Sequence, residues 1–172
     1  MAEAALKRGW WRIAIVAVLV IEILGLLSGW LSNSGYGNGW FDALQKPPFM
    51  PPGWLFGLVW PVLYALLGIA VAMIIAEPPS DRRRLGLILF AGQLALNFAW
   101  SPLFFALHDI RLAKYVIFLM ALLAAGAAGQ FLRLRKPAGL LMLPYLAWLI
   151  FAATLNSTIE ALNPGAGTSL FG

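Results

Sequence analysis

Gln93, Asn97 and Trp100 follow one another at intervals of four and three, so a helix carrying them presents two amides and an indole on one face, beside Ser101. Trp60 and Trp148 sit on two other apolar runs that contain no charged residue. Aromatic faces with a few fixed amides suit a flat, largely apolar ligand, because the rings stack on it and the amides orient it. The same residues have plainer uses. Trp60 and Trp148 would serve equally as core packing or interfacial anchors, and amides in hydrocarbon link helices as readily as they hold ligand, at about 0.6 kcal/mol per bond. Conventional catalysis finds little to use: there is no phosphate-cradling glycine loop, no Ser-His-Asp set and no paired carboxylates. His108 stands beside Asp109 and Arg111 without the ligand set of a metal or haem site, so neither a metal nor a resident cofactor is expected.

The elements that must position these residues are membrane spans. Ile13 to Leu31 carries only Glu22, while Trp54 to Ala76, Leu85 to Leu107, Tyr115 to Leu132 and Ala138 to Ile159 carry no charge. A helix needs roughly 20 such residues to cross about 30 Å of hydrocarbon, and continuous apolar runs without sustained alternation favour helices over barrel strands. With 62% hydrophobic and 11% charged residues and a mean hydropathy of +0.84, a soluble domain would have more apolar surface than it could bury. The expected fold is an all-α membrane protein: one domain over residues 1–162, with helices about 11–31, 53–76, 84–107, 112–134 and 138–160. Residues 163–172, small and polar, read as a mobile tail. With 1.5 Å of rise per residue, Trp60 lies about 9 Å below the outer end of its span, Trp148 about 15 Å above the inner end of its own, and Asn97 and Trp100 about 18 to 23 Å up theirs. Glu22, about 14 Å inside the first span, is the only ionisable residue at depth. It reads first as a neutral, hydrogen-bonded carboxyl within the bundle, and second as a ligand contact.

A net charge of +5 raises the question of nucleic acid, but the cations flank the spans, where they read as topology signals. Lys7, Arg8 and Arg12, Arg82 to Arg84, and Arg133, Arg135 and Lys136 fall on one side; only Lys46, Arg111 and Lys114 fall on the other. The positive-inside rule puts the N-terminus in the cytoplasm and the C-terminus outside, with no nucleic-acid partner. Zero cysteines exclude thiolate chemistry and disulfides alike. The first span exceeds a typical signal-peptide core and is retained on this reading; basic clusters without a transit peptide favour a bacterial membrane.

The first outward loop is long and rich in rings: Trp40, Phe41, Phe49 and Trp54 surround Pro47, Pro48, Pro51 and Pro52. Such proline density favours a stiff, extended lid across the bundle mouth, with the rings turned inward or held in an interfacial belt. Pro61, Pro102 and Pro144 lie within spans, where neighbours or a cavity must answer the backbone groups they leave free. Small residues at Gly25 and Gly29, at Ala91, Ala95 and Ala99, and at Ala121, Ala125 and Gly129 mark candidate close helix contacts.

Four stretches carry a resemblance. Trp40 to Pro52 reads W-x-D-x-L-x-K-P-x-x-x-P-P, Trp60 to Tyr64 reads W-x-x-L-Y, Gly92 to Phe105 reads G-Q-L-A-L-N-x-A-W-x-P-x-F-F, and Pro144 to Asn156 reads P-Y-L-A-W-x-x-F-A-x-x-L-N. In this order they resemble the translocator protein family, also called the peripheral-type benzodiazepine receptor or tryptophan-rich sensory protein family, and its bacterial members in particular. The resemblance implies a five-helix bundle, often a homodimer, that sits in membrane lipid and binds porphyrins such as protoporphyrin IX and synthetic hydrophobic ligands under the first loop. By motif the ligand site would comprise Trp40, Phe49, Phe56, Trp60, Gln93, Asn97, Trp100, Trp148, Ala152 and Leu155, with porphyrin as ligand rather than cofactor. The function it implies is a receptor or carrier in tetrapyrrole sensing or transport. The alternative is light-dependent breakdown of protoporphyrin IX, in which Trp60 and Trp148 would be the catalytic pair. Departures from the pattern concern ligand choice: Phe49 replaces a usual tryptophan, Leu112 stands where animal members have tryptophan, and Ser157 replaces the tyrosine of their sterol-recognition pattern.

Overall fold

The computed structural model describes residues 2–167, so the second half of the expected tail, residues 168–172, lies outside the described residues. The described residues form helices and connections without a strand, and five helical segments have the length and apolarity of membrane spans: Gly9–Leu31, Gly53–Ile75, Asp81–Ala106, Ile110–Leu134 and Lys136–Leu162. The helices are α1 (Ala2–Leu31), α2 (Gly39–Ala43), α3 (Gly53–Ile75), α4 (Asp81–Ser101), α5 (Ile110–Leu134), α6 (Lys136–Leu140) and α7 (Leu143–Leu162).

Capping chemistry explains where several of these begin and end. Asn38, Ser80 and Asp109 cap α2, α4 and α5, each accepting a backbone N–H from the first turn with its side-chain oxygen. α4 therefore starts three residues before the expected boundary, because Ser80 supplies the cap and the arginines join the helix. Arg83 then turns back on α3, donating from Nε to the Ile74 carbonyl (3.1 Å) and from Nη2 to the Ile75 carbonyl (2.9 Å). A residue that reads as a topology charge thus also satisfies the carbonyls at a helix end.

The prolines act in different ways. Pro102 has no N–H for the Phe98 carbonyl, and that carbonyl accepts the Ser28 hydroxyl from α1 at 2.6 Å. The chain beyond α4 widens into a π-turn over Pro102–Ala106, closed by Leu107 N–H on the Pro102 carbonyl. The fifth span is broken instead of continuous: α6 ends at Leu140, Leu141 and Met142 form a turn, and Pro144 sits in the first turn of α7, where no N–H is needed.

α1 packs on α3, α4 on α5, and α5 on α7, with lighter contacts of α3 on α4 and α7. Gly68 lets α1 and α3 touch, since a Cβ there would lie 2.7 Å from the Val18 backbone nitrogen. In α5 the buried seam is Ala113, Ile117, Met120, Ala124, Ala127, Ala128 and Phe131. The expected row of Ala121, Ala125 and Gly129 lies beside it. Ala91, Ala95 and Ala99 are exposed on the flank of α4. One apolar cluster, including Leu67, Ile74, Phe90, Phe131 and Tyr145, fills the half of the bundle near the arginines. A second, of Phe41, Leu44, Phe104, Phe105, Ile110, Leu155 and Ile159, closes the opposite end.

Candidate functional site

Between the two clusters lies a cavity of about 700 Å³, within the range of small-molecule sites. Its aromatic wall comes from four elements. Trp60 and Trp148 meet edge to face with centroids 6.4 Å apart; Phe56 stands 5.8 Å from Trp148, and Tyr64 5.3 Å from Trp60. Across the cavity Trp100 stacks on Phe104 at 5.1 Å. Phe56, Trp60, Asn97, Trp100, Trp148, Ala152 and Leu155, all expected at a ligand site, line this space.

Three expected contacts lie off the cavity. Trp40 stacks on His108 at 4.2 Å and donates its indole N–H to the Ala166 carbonyl at 3.1 Å, because α2 turns this ring toward the C-terminal end of α7. Phe49 is 46% exposed and meets Phe151 edge-on from outside. Gln93 is wholly buried one turn below Asn97, where its amide oxygen accepts the Tyr145 hydroxyl at 2.7 Å. Of the loop rings, Phe41 alone is buried, and Trp54 is 69% exposed, as an interfacial anchor would be.

The amides serve the bundle. Asn97 accepts the Tyr64 hydroxyl at 2.7 Å and donates to the Tyr145 hydroxyl at 3.1 Å, so α3, α4 and α7 share one polar network beneath the cavity. Asn156 accepts the Trp100 indole N–H at 3.3 Å and donates to the Ile110 carbonyl at 2.9 Å. Tyr64 and Asn156, both cavity-lining, end two of the sequence motifs, and that position was the signal available for them. Met120 and Ile117 of α5 also line the cavity and carry no such signal.

Glu22 differs from its first expected role. Among the described residues its carboxyl has no hydrogen-bond partner, and it lines the cavity together with Gly25, where a Cβ would overlap the Tyr64 ring. Leu26 and Trp30 of α1 and Gly57 and Pro61 of α3 also line the cavity and are exposed on the flank. The cavity therefore has a side mouth between α1 and α3, at depths of about 2 to 12 Å below the helix ends.

The roof is tied down. Lys46 donates to the carbonyls of Phe41, Asp42 and Leu44 at 2.7 to 3.2 Å, holding the end of α2. Asn163 accepts the Gln45 N–H at 2.8 Å and donates to the Gln45 carbonyl at 2.9 Å, fastening the loop to the end of α7. Tyr36 donates to the Pro51 carbonyl at 3.1 Å.

Fold and site together define a multi-pass integral membrane protein with an aromatic-walled cavity under a strapped loop. The sequence model of the TspO/MBR family matches residues 16–162, and the chain belongs to that family. It is 39% identical over 143 residues to the translocator protein of Bos taurus, covering 82% of this chain and 85% of that one. It is 35% identical over 129 residues to protein CrtK of Rhodobacter capsulatus (74% and 81% covered). With the tryptophan-rich protein TspO of Chlorobaculum tepidum it shares 38% over 126 residues (73% and 80%).

Proposed function

We propose that the protein is a membrane receptor or carrier that holds a porphyrin, or another flat hydrophobic molecule, in the cavity beneath the first loop, for tetrapyrrole sensing or transport. The observation that carries this proposal is the cavity wall: four large rings, Phe56, Trp60, Trp100 and Trp148, converge on about 700 Å³ of space at membrane depth. Stacking faces of this kind suit a planar macrocycle. Titrating the purified protein with protoporphyrin IX in the dark should quench tryptophan fluorescence at about micromolar concentration or below, and Trp60→Ala should weaken binding about tenfold. Parent-like binding by a folded Trp60→Ala protein would remove the cavity from consideration. The exposed Ala91, Ala95 and Ala99 row supports a homodimer packed through α4.

A second function is favoured by one observation, the edge-to-face contact of Trp60 and Trp148 on the same wall. An indole beside a photo-excited porphyrin can give it an electron; passage of that electron to dioxygen as superoxide, and recovery of an electron by the oxidised indole from the macrocycle, would leave the macrocycle oxidised by dioxygen and the indole restored.

A further inference from the structure

We propose that Glu22 is the polar anchor of this cavity, and that among its flat apolar ligands other than porphyrins, which bring carboxylates of their own, those bearing a protonated nitrogen that sits against the Glu22 carboxylate are preferred. The inference rests on the cavity being a ligand site and adds which chemical class it selects. Three observations carry it. The first is that Glu22 reaches the cavity at a depth of about 14 Å with no hydrogen bond among the described residues, and an intramembrane acid without a partner is costly to keep. The second is that the amides that line the same space are already engaged: Asn97 with Tyr64 and Tyr145, Asn156 with Trp100 and Ile110. Neither has to turn to a ligand for a partner. The third is that every lysine and arginine lies outside the apolar runs, so the chain offers Glu22 no cation at its own depth. Trp60 and Tyr64, whose ring centroids lie 5.3 Å apart, line the same cavity, and an ammonium is attracted by such rings as well as by a carboxylate.

The test uses two planar probes of equal ring size, 1-pyrenemethylamine and 1-methylpyrene, added to the full-length protein in a non-ionic detergent. Binding is read as energy transfer from tryptophan. The parent should bind the amine at least about tenfold more tightly than the methyl compound. Glu22→Gln should erase that preference by weakening the amine at least about tenfold, with a parent-like thermal melt in the same detergent reporting that the variant is folded. Glu22→Leu, with the apolar character usual in a span, is read alongside so that the result does not hang on one substitution. Equal affinities in the parent, or a preference that survives in either variant, would overturn the assignment of Glu22; if Trp60→Ala still weakened both probes, the cavity itself would stand. Failure of the parent to bind either probe would overturn the inference and the cavity reading together.

Discussion

Tyr145 of α7 has no exposed surface and is tied to α4 by two bonds, donating to Gln93 and accepting from Asn97. Tyr145→Phe would leave both amides short of a partner in a dry interior. A single interhelical bond in a membrane averages only about 0.6 kcal/mol, but stranding buried polar groups costs about 1–3 kcal/mol. The second effect should dominate, and we expect a loss of about 1–2 kcal/mol in denaturant unfolding of the detergent-solubilised protein. Protoporphyrin affinity should change less than about twofold, because Tyr145 does not line the cavity. At the tryptophans, Trp60→Phe with Trp148→Phe keeps stacking surface and removes the easily oxidised indoles. Binding should outlast photodegradation; an illuminated double variant that consumes protoporphyrin as fast as the parent would sink the electron-donor role. Spacing in the sequence placed Trp60, Asn97, Trp100 and Trp148 in the middle and outer part of the membrane, and the cavity gathers them. It could not separate Gln93 from Asn97, because residues four apart share a helix face and only the neighbouring helices decide which of them meets open space.

The spans were legible as elements because apolar length is a property of the chain alone. Their ends and interruptions were not. The short α2 helix inside a proline-rich loop depends on Asn38 as cap and on Lys46 returning to its carbonyls, and the π-turn after α4 depends on Ser28 from another helix. Close approach is likewise a matter of partners. A Cβ at Gly68 would press on the Val18 backbone, whereas one at Gly57 would meet nothing within 4 Å. Gly68→Ala should therefore destabilise the protein by about 1–3 kcal/mol, as overpacking does, while Gly57→Ala should leave the melting temperature in detergent unchanged. Equal effects at the two positions would mean that α1 and α3 do not meet through Gly68.

For the whole molecule the distribution of arginine and lysine predicts that the cavity's roof faces away from the cytoplasm. Ser34, exposed in the first loop, and Ser80, exposed between α3 and α4, permit a near-isosteric test. In intact cells Ser34→Cys should react with an impermeant thiol reagent and Ser80→Cys should not, and the opposite result would invert the orientation. Nearby Gly35 and Gly37 are poor sites for this, since their φ values of 98° and 95° strain any other residue.

The side mouth between α1 and α3 has a consequence for how affinity is to be counted. A ligand entering past Leu26 and Pro61 comes from the acyl chains, so the concentration that governs occupancy is its mole fraction in lipid. Water and bilayer compete for such a molecule before the protein meets it. At fixed protein and total ligand, adding vesicles of the same lipid should dilute the ligand within the membrane and raise the apparent dissociation constant in proportion. A value independent of lipid content would mean that the ligand does not partition into the bilayer. On the lateral route, two membranes holding this protein at equal density but differing in area would fill its cavity unequally from the same ligand supply.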